Sequence, residues 1–271
     1  VNVLAIVVSF FISLFLYPET YVCFGRWVQD ASAQQRLSAF SPAINNATKN
    51  DIKKTKVIFL FDDGWKSVYT QAYPVFNDFQ FPGNVAIIPG LTGEGEYLNL
   101  NEIAQMYMND WNILNHTFSH KENMYDDSKG LLIDFNKARD WMNEKYLSKC
   151  SGMAVIPYGE ANPYLIKLLR DAKYQNIRTA DNVIIMDTDK TCYFPERSIS
   201  LLTDVQPREI KEVLEETQNQ GNTIIFILHK IGEQRDNYKM TFSAKKLREI
   251  LQFIKDQPDK FQVVTYSSLF S

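Results

Sequence analysis

The residues best equipped for chemistry begin at Asp62-Asp63-Gly64-Trp65, which follows an apolar run over 56–61. Adjacent ionised carboxylates repel, and each loses solvation at the end of a buried strand. A divalent cation would use that charge; a plain Asp-Asp-Gly turn at a strand exit is the alternative. The chain has three histidines. His116 and His120 lie four apart in His-Thr-Phe-Ser-His, and His229 ends the apolar run 224–228. A spacing of four puts two imidazoles on one side of a helical turn, where they suit a single metal. Two histidines and one carboxylate make a facial site with open positions, for which zinc is the default and cobalt, nickel or iron also fit. Such a site polarises a carbonyl and lowers the pKa of bound water. The second aspartate is then free to act as a base on that water, and His229 to protonate a leaving group from the opposite side. The expected chemistry is metal-assisted hydrolysis, and the amine leaving an amide is where an acid is most needed.

These groups are far apart in sequence, so the elements between them must bring them together. Hydrophobic patterning predicts strands over 57–61, 83–88, 111–114, 152–156, 183–186, 223–228 and 261–265. Helices are predicted over 67–79, 102–109 (capped by Asn101), 129–146, 163–172, 207–218 and 243–255. This alternation implies a mostly parallel sheet, open or closed into a barrel. Asp62, Asp63, His116, Tyr158 and His229 all fall just after predicted strands. In parallel α/β folds the carboxyl ends of strands line one face, where sites gather.

Composition narrows the classes of partner. The chain has 271 residues, 45% of them hydrophobic, enough for one substantial core in a catalytic domain over 53–271. Net charge is −3, and no basic block stands out, which argues against nucleic acid. Residues 1–17 are almost all apolar and read as a signal or signal anchor, giving membrane contact and an extracytoplasmic location. A buried element packed on the domain is the other reading of that run. Residues 18–52 read as a polar connector, with a short helix over 27–37. Cys23, Cys150 and Cys192 lack metal-type spacing; free buried thiols are preferred over a Cys150–Cys192 pair. Nothing in the sequence sets the oligomeric state.

Phe61-Asp62-Asp63-Gly64, His116-Thr-Phe-Ser-His120, Pro157-Tyr158-Gly159 and Ile227-Leu228-His229 occur in the order found in the polysaccharide deacetylases. From Lys56 onward the chain resembles that NodB-homology group, carbohydrate esterase family 4. The resemblance implies a distorted (β/α) barrel and metal-dependent removal of N-acetyl groups from a polysaccharide. It assigns Asp62 as base, Asp63, His116 and His120 as metal ligands, and His229 as acid. It also gives the Tyr158 N–H to the oxyanion. Many members carry Arg two residues before the proline of the third motif, steadying the base; here Val155 stands there. Members acting on poly-β-1,6-N-acetylglucosamine also tend to lack it and often have Pro-Arg in the next segment. Phe194-Pro195-Glu196-Arg197 is similar, so Arg197 is expected to line the site, a plain surface Arg being the alternative. The Asp-Trp pair that orients the acid histidine in many members is not evident, and Asp204 is the nearest substitute.

Substrates consistent with the resemblance are peptidoglycan, a secreted poly-N-acetylglucosamine, chitin oligomers and acetylated xylan. Trp65 and Tyr158 are each a candidate sugar-stacking ring. The alternative function is a catalytically inactive glycan-binding relative; retention of Asp62 and His229 argues against it. A two-histidine, one-carboxylate iron oxygenase fits the regular strand-helix alternation poorly.

Overall fold

A computed structural model describes residues 54–121, 127–179, 183–186, 191–194, 197–218 and 221–270, the side chains of 183–194 and Arg197 excepted. The hydrophobic run 1–17, the connector 18–52 and Cys23 lie outside the described residues.

Parallel strands buried on both faces need continuous apolar runs, and the longest strands here have them. These are β1 (Thr55–Phe61) and, later in the chain, Thr223–Leu228. Between them come β2 (Asn84–Ile87), β3 (Asn112–Asn115), β4 (Met153–Val155) and β5 (Asn176–Arg178). Then follow β6 (Val183–Met186), β7 (Thr191–Phe194) and β8 (Arg197–Ser200), which makes Thr223–Leu228 β9. The main sheet runs β7-β6-β5-β4-β3-β2-β1-β9-β8, parallel from β8 through β5, with β6 and β7 antiparallel at one edge. Beyond β9, β10 (Lys230–Ile231) pairs with β11 (Thr241–Phe242), and β12 (Phe261–Val263) pairs with the start of β1. The result is a mostly parallel, curled half-barrel with helices packed on it, as the expected (β/α) barrel requires.

The helices follow the predicted stripes. They are α1 (Tyr73–Phe79), α2 (Leu100–Met108), α3 (Ser128–Glu144), α4 (Pro163–Asp171), α5 (Pro207–Thr217) and α6 (Ala244–Lys255). The predicted helix over 67–79 begins with a π-helical turn, Val68–Ala72, before α1. The cap of α2 is Asn99 rather than Asn101: Asn99 accepts from the Glu102 N–H (3.0 Å) and its own N–H donates to the Glu102 carboxylate (2.8 Å). That reciprocal capping box satisfies two orphan donors, whereas Asn101 lies inside the helix. The core between sheet and helices is aromatic, with Phe59, Phe61, Phe76 and Trp111 in edge and stacked contacts. Cys150 is a free, buried thiol, pushed up to about 11 by burial, while the Cys192 side chain lies outside what is described. Among the described residues no helix is long and apolar enough to cross a membrane.

Candidate active site

Strand register delivers the polar residues to one rim. Phe61 pairs with Leu228, and the Asp62 N–H donates to the Leu228 carbonyl (2.8 Å), so Asp62 and His229 leave adjacent strands side by side. β3 ends at Asn115, and the His116 N–H donates to the Ile87 carbonyl at the end of β2 (3.1 Å). Val155 pairs with Arg178 at the ends of β4 and β5. Asp63 and Gly64 both have left-handed backbone, φ 71° and 73°, a conformation that Asp tolerates and Gly adopts freely. These turns carry the chain away from the sheet immediately after the acids.

The structure brings Asp63, His116 and His120 together, with one ligand atom from each lying within 4.8 Å of the others. Asp63 Oδ1 is 3.3 Å from His116 Nε2 and 3.5 Å from His120 Nε2. His116 Nδ1 lies 2.8 Å from the Val155 carbonyl oxygen, which takes the proton on that nitrogen. A neutral His116 therefore turns the lone pair of Nε2 toward a carboxylate oxygen. Only a cation or an additional proton reconciles that arrangement, and the donor set of one carboxylate and two imidazoles fits a divalent ion. Burial and then the neighbouring His116 push His120 down to about 4, leaving it in the neutral, ligating form near pH 7. Burial acts to raise the Asp63 carboxyl, but the His116 contact and the charges of His229, His116 and His120 hold it well below the ordinary carboxylate range.

One expectation about this cluster needs correction. Residues 116–120 do not form a helical turn; Thr117 and His120 both have positive φ, 64° and 47°. Side-chain bonds hold the loop in that shape. Asn115 Oδ1 accepts from the Thr117 N–H (3.0 Å), Thr117 Oγ1 from the His120 N–H (3.0 Å), and Asp134 from the Ser119 N–H and hydroxyl (2.9 Å each). Asn115 in turn donates to the Phe135 and Ser151 carbonyls. The imidazoles converge because a pinned loop folds back, with ring centroids 4.8 Å apart.

Asp62 is buried beside this cluster, near enough for its charge to act on His120. Its Oδ2 accepts from Arg178 Nη2, and both side chains are almost fully buried, at 3% for Arg178 and 7% for Asp62. Its Oδ1 has no hydrogen-bond partner among the described residues. Sequence reasoning missed Arg178. The strand–helix rhythm offered one signal, since α4 calls for a strand within a few residues, but β5 has only Ile177 as an apolar residue. The Arg197 backbone instead pairs with Ile224, four residues before Leu228, so β8 does not bring it to the level of the aspartates. Its side chain lies outside what is described.

His229 acts electrostatically on Asp63, while its buried Nδ1 has no hydrogen-bond partner among the described residues. Asp204 therefore does not hold that nitrogen. Tyr158 sits in the Pro157–Gly159 turn with left-handed backbone (φ 60°), its ring 4.9 Å from that of His120 and 52% of the residue exposed. Trp65 is not an open sugar platform: Tyr97 stacks on it at 4.5 Å, and Lys230 Nζ lies 3.9 Å from its ring.

Comparison with known proteins agrees with this architecture. The family model described as polysaccharide deacetylase matches residues 49–177. A poly-β-1,6-N-acetyl-D-glucosamine N-deacetylase of Staphylococcus aureus (strain MSSA476) is 24% identical over 166 residues, 56% of this chain and 57% of that protein. A Staphylococcus epidermidis protein of the same name is 24% identical over 136 residues, 45% of this chain and 47% of its own length. The chain thus spans about half the length of these curated relatives. A candidate polysaccharide deacetylase from Mycobacterium smegmatis superposes with a TM-score of 0.56 at 14% identity, covering 82% of this chain and 91% of that one. The Xyl-CE4 domain of a xylanase from the hindgut metagenome of Trinervitermes trinervoides gives 0.53 at 13% identity, covering 80% and 90%. These two structures share the curled βα sheet. Four motifs in order on that sheet, the family model over residues 49–177 and the curated relatives converge on one resemblance, to the polysaccharide deacetylases of the NodB-homology group.

Proposed function

We propose that this chain is a metal-dependent N-deacetylase of a polysaccharide built from N-acetylglucosamine units. The observation that carries the reading is the convergence of Asp63 Oδ1 with two imidazole nitrogens beside a buried second carboxylate whose Oδ1 is unpartnered. Asp63, His116 and His120 would hold the ion, zinc by default, with cobalt, nickel and iron as alternatives. When bound, such an ion polarises an acetamide carbonyl and lowers the pKa of water.

The remaining work falls to the chain's own groups. Arg178 occupies Asp62 Oδ2, which leaves Oδ1 to take the proton from the attacking water. His229, leaving the strand next to Asp62, gives a proton to the departing amine. The Tyr158 N–H, set by its left-handed turn, faces the developing oxyanion in this reading. Arg178 steadies the base, the part that an Arg at the position of Val155 plays in many members.

The substrate class rests on the staphylococcal relatives named for poly-β-1,6-N-acetyl-D-glucosamine. Peptidoglycan, chitin oligomers and acetylated xylan form the comparison set. The apolar run 1–17 supports an extracytoplasmic, membrane-associated or secreted location. The test is acetate release from N-acetylglucosamine oligomers, abolished by a chelator and restored by zinc or cobalt. Undiminished release by Asp63→Ala in the presence of chelator would sink the proposal.

A further inference from the structure

The two oxygens of Asp63 have different partners. Oδ1 faces His116 and His120, whereas Oδ2 accepts the indole N–H of Trp65 at 2.9 Å. An indole N–H only donates; it neither ligates a metal nor titrates, so it holds that oxygen at every working pH. The indole itself is tightly placed. The Tyr97 ring lies 4.5 Å away at 20° to it, and Lys230 Nζ sits 3.9 Å from the ring. Lys230 also pairs with Glu96 (2.8 Å). Backbone bonds from Lys66 to Glu96 (2.6 Å) and from Leu98 to Gly64 (2.8 Å) clasp the same loop against the aspartates. Lys230 directly follows His229, so one stack joins the metal-ligating loop to the strand exit that carries the acid.

We propose that Trp65 is a positioning residue that makes Asp63 meet the ion through Oδ1 alone, with Tyr97 and Lys230 fixing the indole. A carboxylate free to rotate would bind through both oxygens and occupy a position that water and substrate need. This inference rests on the metal reading above.

Trp65→Phe keeps a stacking ring and removes only the donor. Cobalt(II) titration of the full chain should show affinity about 10–100-fold below the parent. The visible spectrum of the bound cobalt should also change, a signature that a merely structural role would not move. Tyr97→Leu, which keeps the N–H but frees the indole, should weaken cobalt binding less. Parent-like affinity and spectrum in Trp65→Phe overturn the inference while leaving the metal site standing. If the parent binds cobalt no better than Asp63→Ala, the metal reading itself fails and takes this inference with it. Should Trp65→Phe fold poorly, the parent decides: the Trp65 indole N–H resonance must shift when zinc is added, and a resonance that stays put overturns the role.

Discussion

Strands β9, β1 and β3 and strands β4 and β5 serve the same rim in different ways. β1 and β9 are seven and six residues long, apolar and buried, and along with β3 each runs directly into an ionisable residue. β4 and β5 are three residues each. They supply none of the proposed ligands; they supply a carbonyl for His116, a guanidinium for Asp62 and the left-handed turn at Tyr158. The candidate acids and His229 therefore follow the two longest strands and His116 follows the four-residue β3, whereas the groups that aim them stand on or beside strands of three residues. A short strand can do this because its end is tied elsewhere. The Arg178 carbonyl accepts from the Ile156 N–H (3.0 Å), and Asn176 accepts from the buried Tyr266 hydroxyl (3.0 Å).

The division is open to attack by mutation. Asp63→Ala, on the long-strand side, should have the largest effect. Metal affinity should fall by more than the ~10–100-fold typical of losing an outer partner, and acetate release should vanish. Asp62→Asn should keep metal affinity while turnover drops by about 10²–10⁴, the usual worth of a general base. Titration calorimetry with zinc and an acetate assay separate the two aspartates, and equal metal loss in both would erase the distinction.

Arg178→Met attacks the short-strand side. It leaves the Asp62 carboxylate buried without its partner, at a cost of about 3–5 kcal/mol, read from the denaturant midpoint. Adding Asp62→Asn should return part of that loss, because the buried charge is then gone. If Arg178→Met instead lowered metal affinity as far as Asp63→Ala does, the two sides would not be separable. Tyr158→Ala should be mildest. It removes one half-exposed ring contact to His120 and keeps the turn's backbone, so zinc affinity should move by no more than about fivefold.

Much of the site's cast was legible because its residues follow apolar runs that only strands explain. Asp62, Asp63 and His229 sit where β1 and β9 stop, and β9 spans the predicted residues 223–228. What stayed hidden was held by short or irregular pieces. β5 carries one apolar residue between Asn176 and Arg178, too little for a period-2 pattern to register. The spacing of His116 and His120 is equally compatible with a helical turn and with the pinned loop that occurs. Asn115, Thr117 and Asp134 decided between them through side-chain bonds. Trp65 is a candidate stacking ring by sequence, and only the fold brings Tyr97 and Lys230, distant in sequence, onto it.

The order of the motifs, the strand–helix rhythm and the identity of the two acids and three histidines were determined by the amino-acid sequence, since burial periodicity and side-chain chemistry are local properties. The partner of each oxygen was decided only in three dimensions. Arg178 on Asp62 and Trp65 on Asp63 turn two chemically identical neighbours into a candidate base and a candidate ligand. Adjacent residues share a backbone, but their side chains reach different surroundings, and only the packed sheet places a guanidinium against one and an indole N–H with two imidazoles against the other.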